Sequence, residues 1–239
     1  TFFIVRAVFY FVVWNLIAWK MSAWSRAQDD GDVARTRSLQ RLSAAAVALE
    51  NLQHAFPEKS EAERIAIAKG AFCNYGTALI ELLWFPNLTD ARLRSLLKPK
   101  NPELIDRGYK RGKGMVMLSG HFGNWELIAF GMAYLTKHPF SIIVQTQSNT
   151  LVDAVINRHR TLLGNTVIPM GMSVREIIRT LHAGGIIAIA PDQSGPIEGV
   201  FVDFFGRSVA THQGPAVFAL RTKAPMQIGF TLRQPDGTY

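Results

Sequence analysis

From residue 115 onward, short apolar runs alternate with stretches of helical periodicity, and this alternation narrows the fold more than any other feature of the chain. Met115-Val116-Met117-Leu118 predicts a strand, and a helix follows from Trp125 to Leu135. Ser141-Ile142-Ile143-Val144 predicts a second strand, and residues 150–163 a second helix with Gly164 just past its end. Val167-Ile168 is short and extended. Ser173 and Glu176 form a capping box for a helix running to His182, stopped by Gly184-Gly185. Ile186 to Ala190 is continuously apolar, as in a strand buried on both faces. Residues 216–221 predict a helix and Met226 to Leu232 a last strand. Such alternation makes an α/β fold, a mainly parallel sheet flanked by helices. Sites on these sheets gather beyond the carboxyl ends of the strands.

Ahead of this body, residues 112–239, the pattern is helical over residues 35–98. Leu39, Leu42, Ala46, Leu49, Leu52 and Phe56 recur at steps of three and four, and Pro57 ends the run. Ser60 and Glu63 cap a second helix, whose predicted apolar stripe is Ile65, Ala68, Phe72, Tyr75, Leu79 and Leu82. Cys73 lies within it and reads as a small buried residue. As the single cysteine, it excludes an internal disulfide and a multi-cysteine zinc site.

Residues 1–19, TFFIVRAVFYFVVWNLIAW, are almost wholly apolar or aromatic. As a helix they would reach about 28 Å, close to the hydrocarbon thickness of a bilayer. Trp14, Trp19 and Trp24 cluster where an aromatic belt would sit. Residues 1–24 are therefore expected to anchor the chain to a membrane, spanning it or lying on it. A buried helix or a targeting segment are the other readings.

The whole chain is 48% hydrophobic yet carries 26 Lys and Arg against 18 acidic residues, a net charge of +8. Fifteen Phe exclude a disordered chain. Eight of the basic residues fall in 92–113, against two acidic ones. A solvated basic face and a surface for anionic lipid or an acidic partner both fit that segment. Nucleic acid is not an expected partner, because no zinc finger, homeodomain or aromatic RNA-binding set accompanies the charge.

The chemistry concentrates in the loop after the first strand, Ser119-Gly120-His121-Phe122-Gly123-Asn124-Trp125-Glu126. It joins a strand to a helix, where sites on α/β sheets belong. Glycines on both sides of His121 permit a tight turn that could bring the imidazole to Glu126. A carboxylate on one ring nitrogen fixes the tautomer and stabilises the imidazolium formed when the other takes a proton. A purely structural histidine is the competing reading. Ser119 and Ser194 lack a nucleophile elbow, and no zinc-ligand spacing is present, so no metal is expected.

In sequence order, these segments resemble the lipid A biosynthesis acyltransferases of the lauroyl/myristoyl type, within the glycerolipid acyltransferases that carry an HX4D/E motif. The resemblance rests on GHFGNWE at 120–126, Asn149-Thr150-Leu151-Val152-Asp153 with Arg160 downstream, Asp192-Gln193-Ser194-Gly195, Gly199 to Gly206, Thr211-x-x-Gly214-x-Ala216, and Arg221 to Pro225. It covers about residues 35–233. Thr150 stands where the family usually has Pro, and Lys223 where it usually has Gly. It implies that residues 35–239 are most of an acyltransferase domain whose closing strand and helix lie beyond Tyr239. It also implies membrane-associated O-acyl transfer at the cytoplasmic face of a bacterial inner membrane, with His121 as general base and Glu126 orienting it. The donor would be a thioester of acyl-carrier protein or CoA, with no further cofactor, and the acceptor a hydroxyl on a lipid A precursor. Arg160 and Asn149 are then candidates for binding the oxyanion, Asp192, Gln193 and Asn124 for binding substrate. Arg160 also reads as a surface helix residue, Asn149 as a plain helix cap, and Asp192 and Gln193 as structural support. Acylation of another glycolipid or a lysophospholipid, or non-catalytic binding of anionic membranes, are the other functional readings.

Overall fold

The computed structural model describes residues 34–138, 140–171, 174–193 and 195–239, with side chains given from residue 44 onward. The expected anchor, residues 1–24, and Ser173 of the expected capping box lie outside the described residues. Among those described, no helix is long and apolar enough to cross a membrane. The chain divides into two compact units, residues 1–70 and 71–239.

The first unit contributes α1 (Ala34–Ala55) and the opening turns of α2 (Glu61–Trp84). The capping box expected at Ser60 is formed: Glu63 Oε2 accepts from the Ser60 backbone N–H at 2.8 Å, and the Glu63 N–H donates to Ser60 Oγ at 3.3 Å. The Ser60 bonds hold the Glu63 carboxyl below its ordinary pKa.

Along α2 the predicted apolar stripe is buried only in part: Ala68 and Leu82 are buried as expected, and the middle of the stripe is not. Ala78 and Leu82 are buried, while Phe72, Tyr75 and Leu79 are exposed. Cys73 is exposed as well, not buried as expected. Ala78, Leu82 and the following Phe85 keep the same side because the helix turns its polar Asn74 and Glu81 inward, toward hydrogen-bond partners described below. After α2 come a 3-10 turn (Phe85–Asn87), α3 (Asp90–Leu96) and α4 (Glu103–Tyr109).

The α/β body follows: β1 (Met115–Leu118), α5 (Trp125–Thr136), β2 (Phe140–Val144), α6 (Thr150–Thr161), β3 (Thr166–Pro169), α7 (Val174–His182) and β4 (Ile186–Ile189). A hairpin, β5 (Val200–Phe204) and β6 (Arg207–Thr211), then α8 (Gly214–Thr222) and β7 (Met226–Ile228), complete the described chain. Five strands form one sheet in the order β3-β2-β4-β1-β7, every pairing parallel. The central strands are the most apolar: Met115, Val116, Ile186 and Ile187 are fully buried. Val116, Ile168 and Ile187 pack on one face against Ile177 and Leu181 of α7 and Phe218 of α8. Met115, Met117, Phe140, Ile142 and Ile186 pack on the other, with Ala129 and Met132 of α5. Helices thus flank both faces, as the alternation predicts. Outside them, Leu127 and Phe130 of α5 pack on Leu82, Phe85, Leu93 and Leu97.

Two differences from the predicted elements matter. The last strand ends at Ile228, and beyond it Thr231 makes only a single bridge, to Gly123. The hairpin has no counterpart in the alternation, because all five residues of β5 are exposed and neither face shows an alternating burial pattern. Its turn is Phe205-Gly206, both at positive φ as a two-residue type I′ turn requires. At the end of α8, Lys223 takes the left-handed cap conformation, φ 58°, that the family's usual glycine would adopt freely.

Candidate active site

The carboxyl ends of β1 and β4 place the first two groups. These strands pair directly, Met115 with Ile186 through Leu118 with Ile189. Three residues past each strand end stand His121 and Asp192, still in the ladder's own offset of 71 residues. His121 Nδ1 meets Asp192 Oδ1 at 2.8 Å, and the His121 backbone N–H donates to Asp192 Oδ2 at 2.6 Å. Both side chains keep solvent access, at 38% and 42% exposure. Gly120 makes room for this approach, since a Cβ there would lie 2.9 Å from Asp192 Oδ2.

The loop is clamped behind the histidine. Gly123 has φ +64° and lies against Thr231 so closely that a Cβ would fall 1.6 Å from the Thr231 carbonyl oxygen. No other residue type fits that position. Asn74 Nδ2 donates to the Gly123 carbonyl at 2.9 Å, and Thr231 Oγ1 to the Asn124 carbonyl at 2.5 Å. Asn124, almost fully buried, caps α5 by accepting from the Leu127 N–H at 2.9 Å. Its Nδ2 donates to Glu81 Oε2 at 2.7 Å, and Glu81 also receives Tyr239 Oη at 2.6 Å and Arg233 Nη2 at 2.6 Å. Burial, then the bond to Glu81, pushes the Tyr239 hydroxyl well above the usual phenol range.

Glu126 lies elsewhere than expected. It sits in the first turn of α5, buried, and its carboxylate takes a two-pronged bond from Arg160 of α6: Nε to Oε2 at 2.9 Å and Nη2 to Oε1 at 2.5 Å. Trp125 Nε1 donates to the same carboxylate at 3.1 Å. The carboxylate bonded to the His121 ring is therefore that of Asp192, and the expected Glu126 contact is replaced. The cause is a choice of partner: a permanently charged guanidinium, itself only 15% exposed, holds a carboxylate of 7% exposure more strongly than a half-exposed imidazole could.

Arg160 is in turn braced. Its Nη1 donates to Asn157 Oδ1 at 3.2 Å, and Asn157 Nδ2 to Asp153 Oδ2 at 3.0 Å. Asp153 Oδ1 accepts from the Gln147 N–H at 2.8 Å, pinning the loop after β2. Asn149 is occupied as the cap of α6, accepting from the N–H groups of Leu151 and Val152. Asn149 and Asn124 thus do the work of helix caps.

Between the sheet and α5 opens a cavity of about 530 Å³, within the usual range for ligand sites. Its lining is polar at His121, Glu126, Arg160, Gln193 and residues 145–148, and apolar at Met117, Ile128, Phe140, Ile142 and Ala188. The structure thus brings together His121, Glu126, Arg160, Asp192 and Gln193, and keeps Asn149 and Asn124 out of the cavity lining. Two further residues escaped the sequence reading. Trp125 stacks on Tyr75, centroids 5.5 Å apart, and leans on the His121 ring at 5.3 Å. Buried Asn165 accepts from the Phe140 N–H and donates to the Arg160 carbonyl, tying β2 to α6. Among the described residues no cluster of His, Cys, Asp or Glu is arranged to hold a metal ion.

Fold and site together define an α/β domain with a histidine–carboxylate pair whose imidazole lines a cavity of mixed polar and apolar walls. The chain belongs to the bacterial lipid A biosynthesis acyltransferase family, whose model matches residues 5–239. It is similar to the lipid A biosynthesis palmitoleoyltransferase of Escherichia coli, 27% identical over 194 residues, which is 80% of this chain and 62% of the relative. The lipid A biosynthesis lauroyltransferase of the same organism is 29% identical over 193 residues, 78% of this chain and 61% of the relative. A lipid A biosynthesis acyltransferase of Haemophilus influenzae is 30% identical over 164 residues, 67% and 50% respectively. The chain therefore spans about three-fifths of the length of the first two relatives.

Proposed function

We propose that the full-length protein moves a fatty acyl group from the thioester of acyl-carrier protein, or of CoA, to a hydroxyl of a lipid A precursor, with His121 as general base. The observation that carries this reading is the bond between Asp192 and His121, whose imidazole lines the cavity. With Nδ1 committed to Asp192, Nε2 is the nitrogen that can take a proton from the acceptor hydroxyl. The hydroxyl oxygen attacks the thioester carbon, forming the new C–O bond as the carbonyl electrons move to oxygen. Collapse restores the carbonyl, breaks the C–S bond and expels a thiolate, which takes the proton back from His121. Asp192 orients the ring and stabilises the transient imidazolium. Glu126 and Arg160 form the polar wall of the cavity, and the apolar wall suits the acyl chain.

The names of the relatives support the acceptor class. All eight basic residues of 92–113 are exposed, which suits an acidic carrier protein or an anionic bilayer surface. Action at the cytoplasmic face of the inner membrane, held there by residues 1–24, completes the reading.

The test is mass spectrometry of a lipid A precursor incubated in membranes with the full-length protein and an acyl-carrier-protein thioester. Wild type adds one acyl ester, and His121→Ala slows this by at least about 10³-fold with the melting temperature kept. Transfer by His121→Ala within a few-fold of wild type sinks the base assignment. Binding to anionic vesicles without any product, in wild type and variant alike, would replace the enzyme with a lipid-binding protein.

A further inference from the structure

Ser119 is dismissed by its sequence as a nucleophile, yet its hydroxyl occupies the most telling position in the cavity. Its backbone N–H donates to the Ile189 carbonyl at 2.9 Å, so the β1–β4 ladder continues one residue past the named strand. Strand alternation then sends Met115, Met117 and Ser119 to one face, and Met117 and Ser119 both line the cavity. Ser119 thus stands one step above the apolar wall and two residues before His121. In the cavity lining it lies, along the chain, between the apolar Met117 and the polar His121.

Its Oγ is buried and has no hydrogen-bond partner among the described residues. Buried hydroxyls are nearly always paired, and one left open inside a cavity invites a partner that arrives with the ligand. A nucleophilic serine needs a base within hydrogen-bond reach, and Ser119 has none. A neutral O–H remains, which can donate. The ligand atom that must accept at the junction of chain and headgroup is the acyl carbonyl oxygen.

We propose that Ser119 Oγ–H donates to the carbonyl oxygen of the thioester and, more strongly, to the oxyanion that forms there. This rests on the acyl-transfer reading above. The serine forms no bond to carbon and keeps its proton throughout. Arg160, the sequence-based candidate for this task, has its charge opposed by Glu126, whereas Ser119 offers the cavity a buried, uncharged donor without a partner among the described residues.

The test measures steady-state kinetics of the full-length protein in membranes, with a lauroyl thioester of acyl-carrier protein and a lipid A precursor. Ser119→Ala is expected to lower kcat by about 10²-fold, with KM held within about two-fold. Its melting temperature should be unchanged or higher, because the substitution removes an unpaired buried polar group. Ser119→Thr, which restores a hydroxyl, should recover most of the lost turnover. With an active wild type, Ser119→Ala turnover within about three-fold of normal overturns the assignment. So does a rise in KM at constant kcat, which would mark a group that binds only the ground state. An inactive wild type fails the acyl-transfer reading itself, and the Ser119 assignment falls with it.

Discussion

His121–Asp192 and Glu126–Arg160 start from neighbouring positions in one loop and finish in opposite environments. The first pair is about 40% exposed, joins two strand ends, and leaves one imidazole nitrogen uncommitted. The second is nearly sealed from solvent, joins two helices, and has both carboxylate oxygens bonded. On the proposed acyl-transfer reading, the difference separates chemistry from construction. A group that must exchange protons with an incoming hydroxyl needs access and a free ring nitrogen. A group that fixes α5 against α6, and so shapes the cavity, needs burial and a full set of partners.

The largest effect should come from breaking the construction pair. Glu126→Ala leaves the Arg160 guanidinium buried and uncompensated, and should cost about 3–5 kcal/mol of stability by denaturant unfolding. Replacing both partners, Glu126→Leu with Arg160→Met, should recover most of that loss. Recovered stability without recovered activity would show that the polar wall also acts on substrate. Recovery of both would confine the pair to architecture.

Asp192→Asn should do the reverse. The site is exposed, so stability should shift by no more than about 1 kcal/mol. Turnover should fall by about 10²-fold, because an amide can hold the ring in the wrong tautomer and offers no charge to the imidazolium. An Asp192→Asn enzyme with near-normal kcat would return the orienting role to Glu126 and collapse the contrast between the pairs.

Why spacing points to Glu126 while the His121 ring meets Asp192 is a question of topology. His121 and Glu126 share a loop, so spacing alone suggests that they meet. His121 and Asp192 meet because β4 inserts between β1 and β2, and chain order does not disclose that insertion. The strands, the helices and their alternation were legible because period-2 and period-3.6 patterns are local. The face of α2 was not: Phe72, Tyr75 and Leu79 have core-like spacing, but Asn74 and Glu81 have buried hydrogen-bond partners that set the rotation. The hairpin was hidden because all of β5 is exposed and β6 is half-buried only in a run at its end, which leaves no alternation to read. The place of Asp192 and Gln193 near the cavity was legible from their position after the most apolar strand, and Asn149 equally as a cap.

A third carboxylate sharpens the comparison from behind the loop. Glu81 gathers Asn124, Arg233 and Tyr239, and through Asn124 it supports the start of α5. Tyr239→Phe removes one bond to a charged acceptor and should cost about 1–2 kcal/mol, the smallest effect of the three. Its pH dependence reports the burial of the hydroxyl together with its bond to Glu81. The Tyr239 pKa is raised in the folded state, so the folded protein holds the phenolic proton longer than the unfolded chain does. The stabilisation is fully present below the unfolded phenol's pKa of about 10 and is lost as pH rises through the folded value. Urea unfolding should therefore show a constant gap between wild type and Tyr239→Phe from pH 7 to about 9.5, narrowing above pH 10. A gap that stays constant through pH 11 would mean that packing of the ring, and not the bond to Glu81, carries the contribution of Tyr239. The loop holding His121 would then be braced by Asn74, Asn124 and Thr231 without a contribution from the Tyr239 hydroxyl.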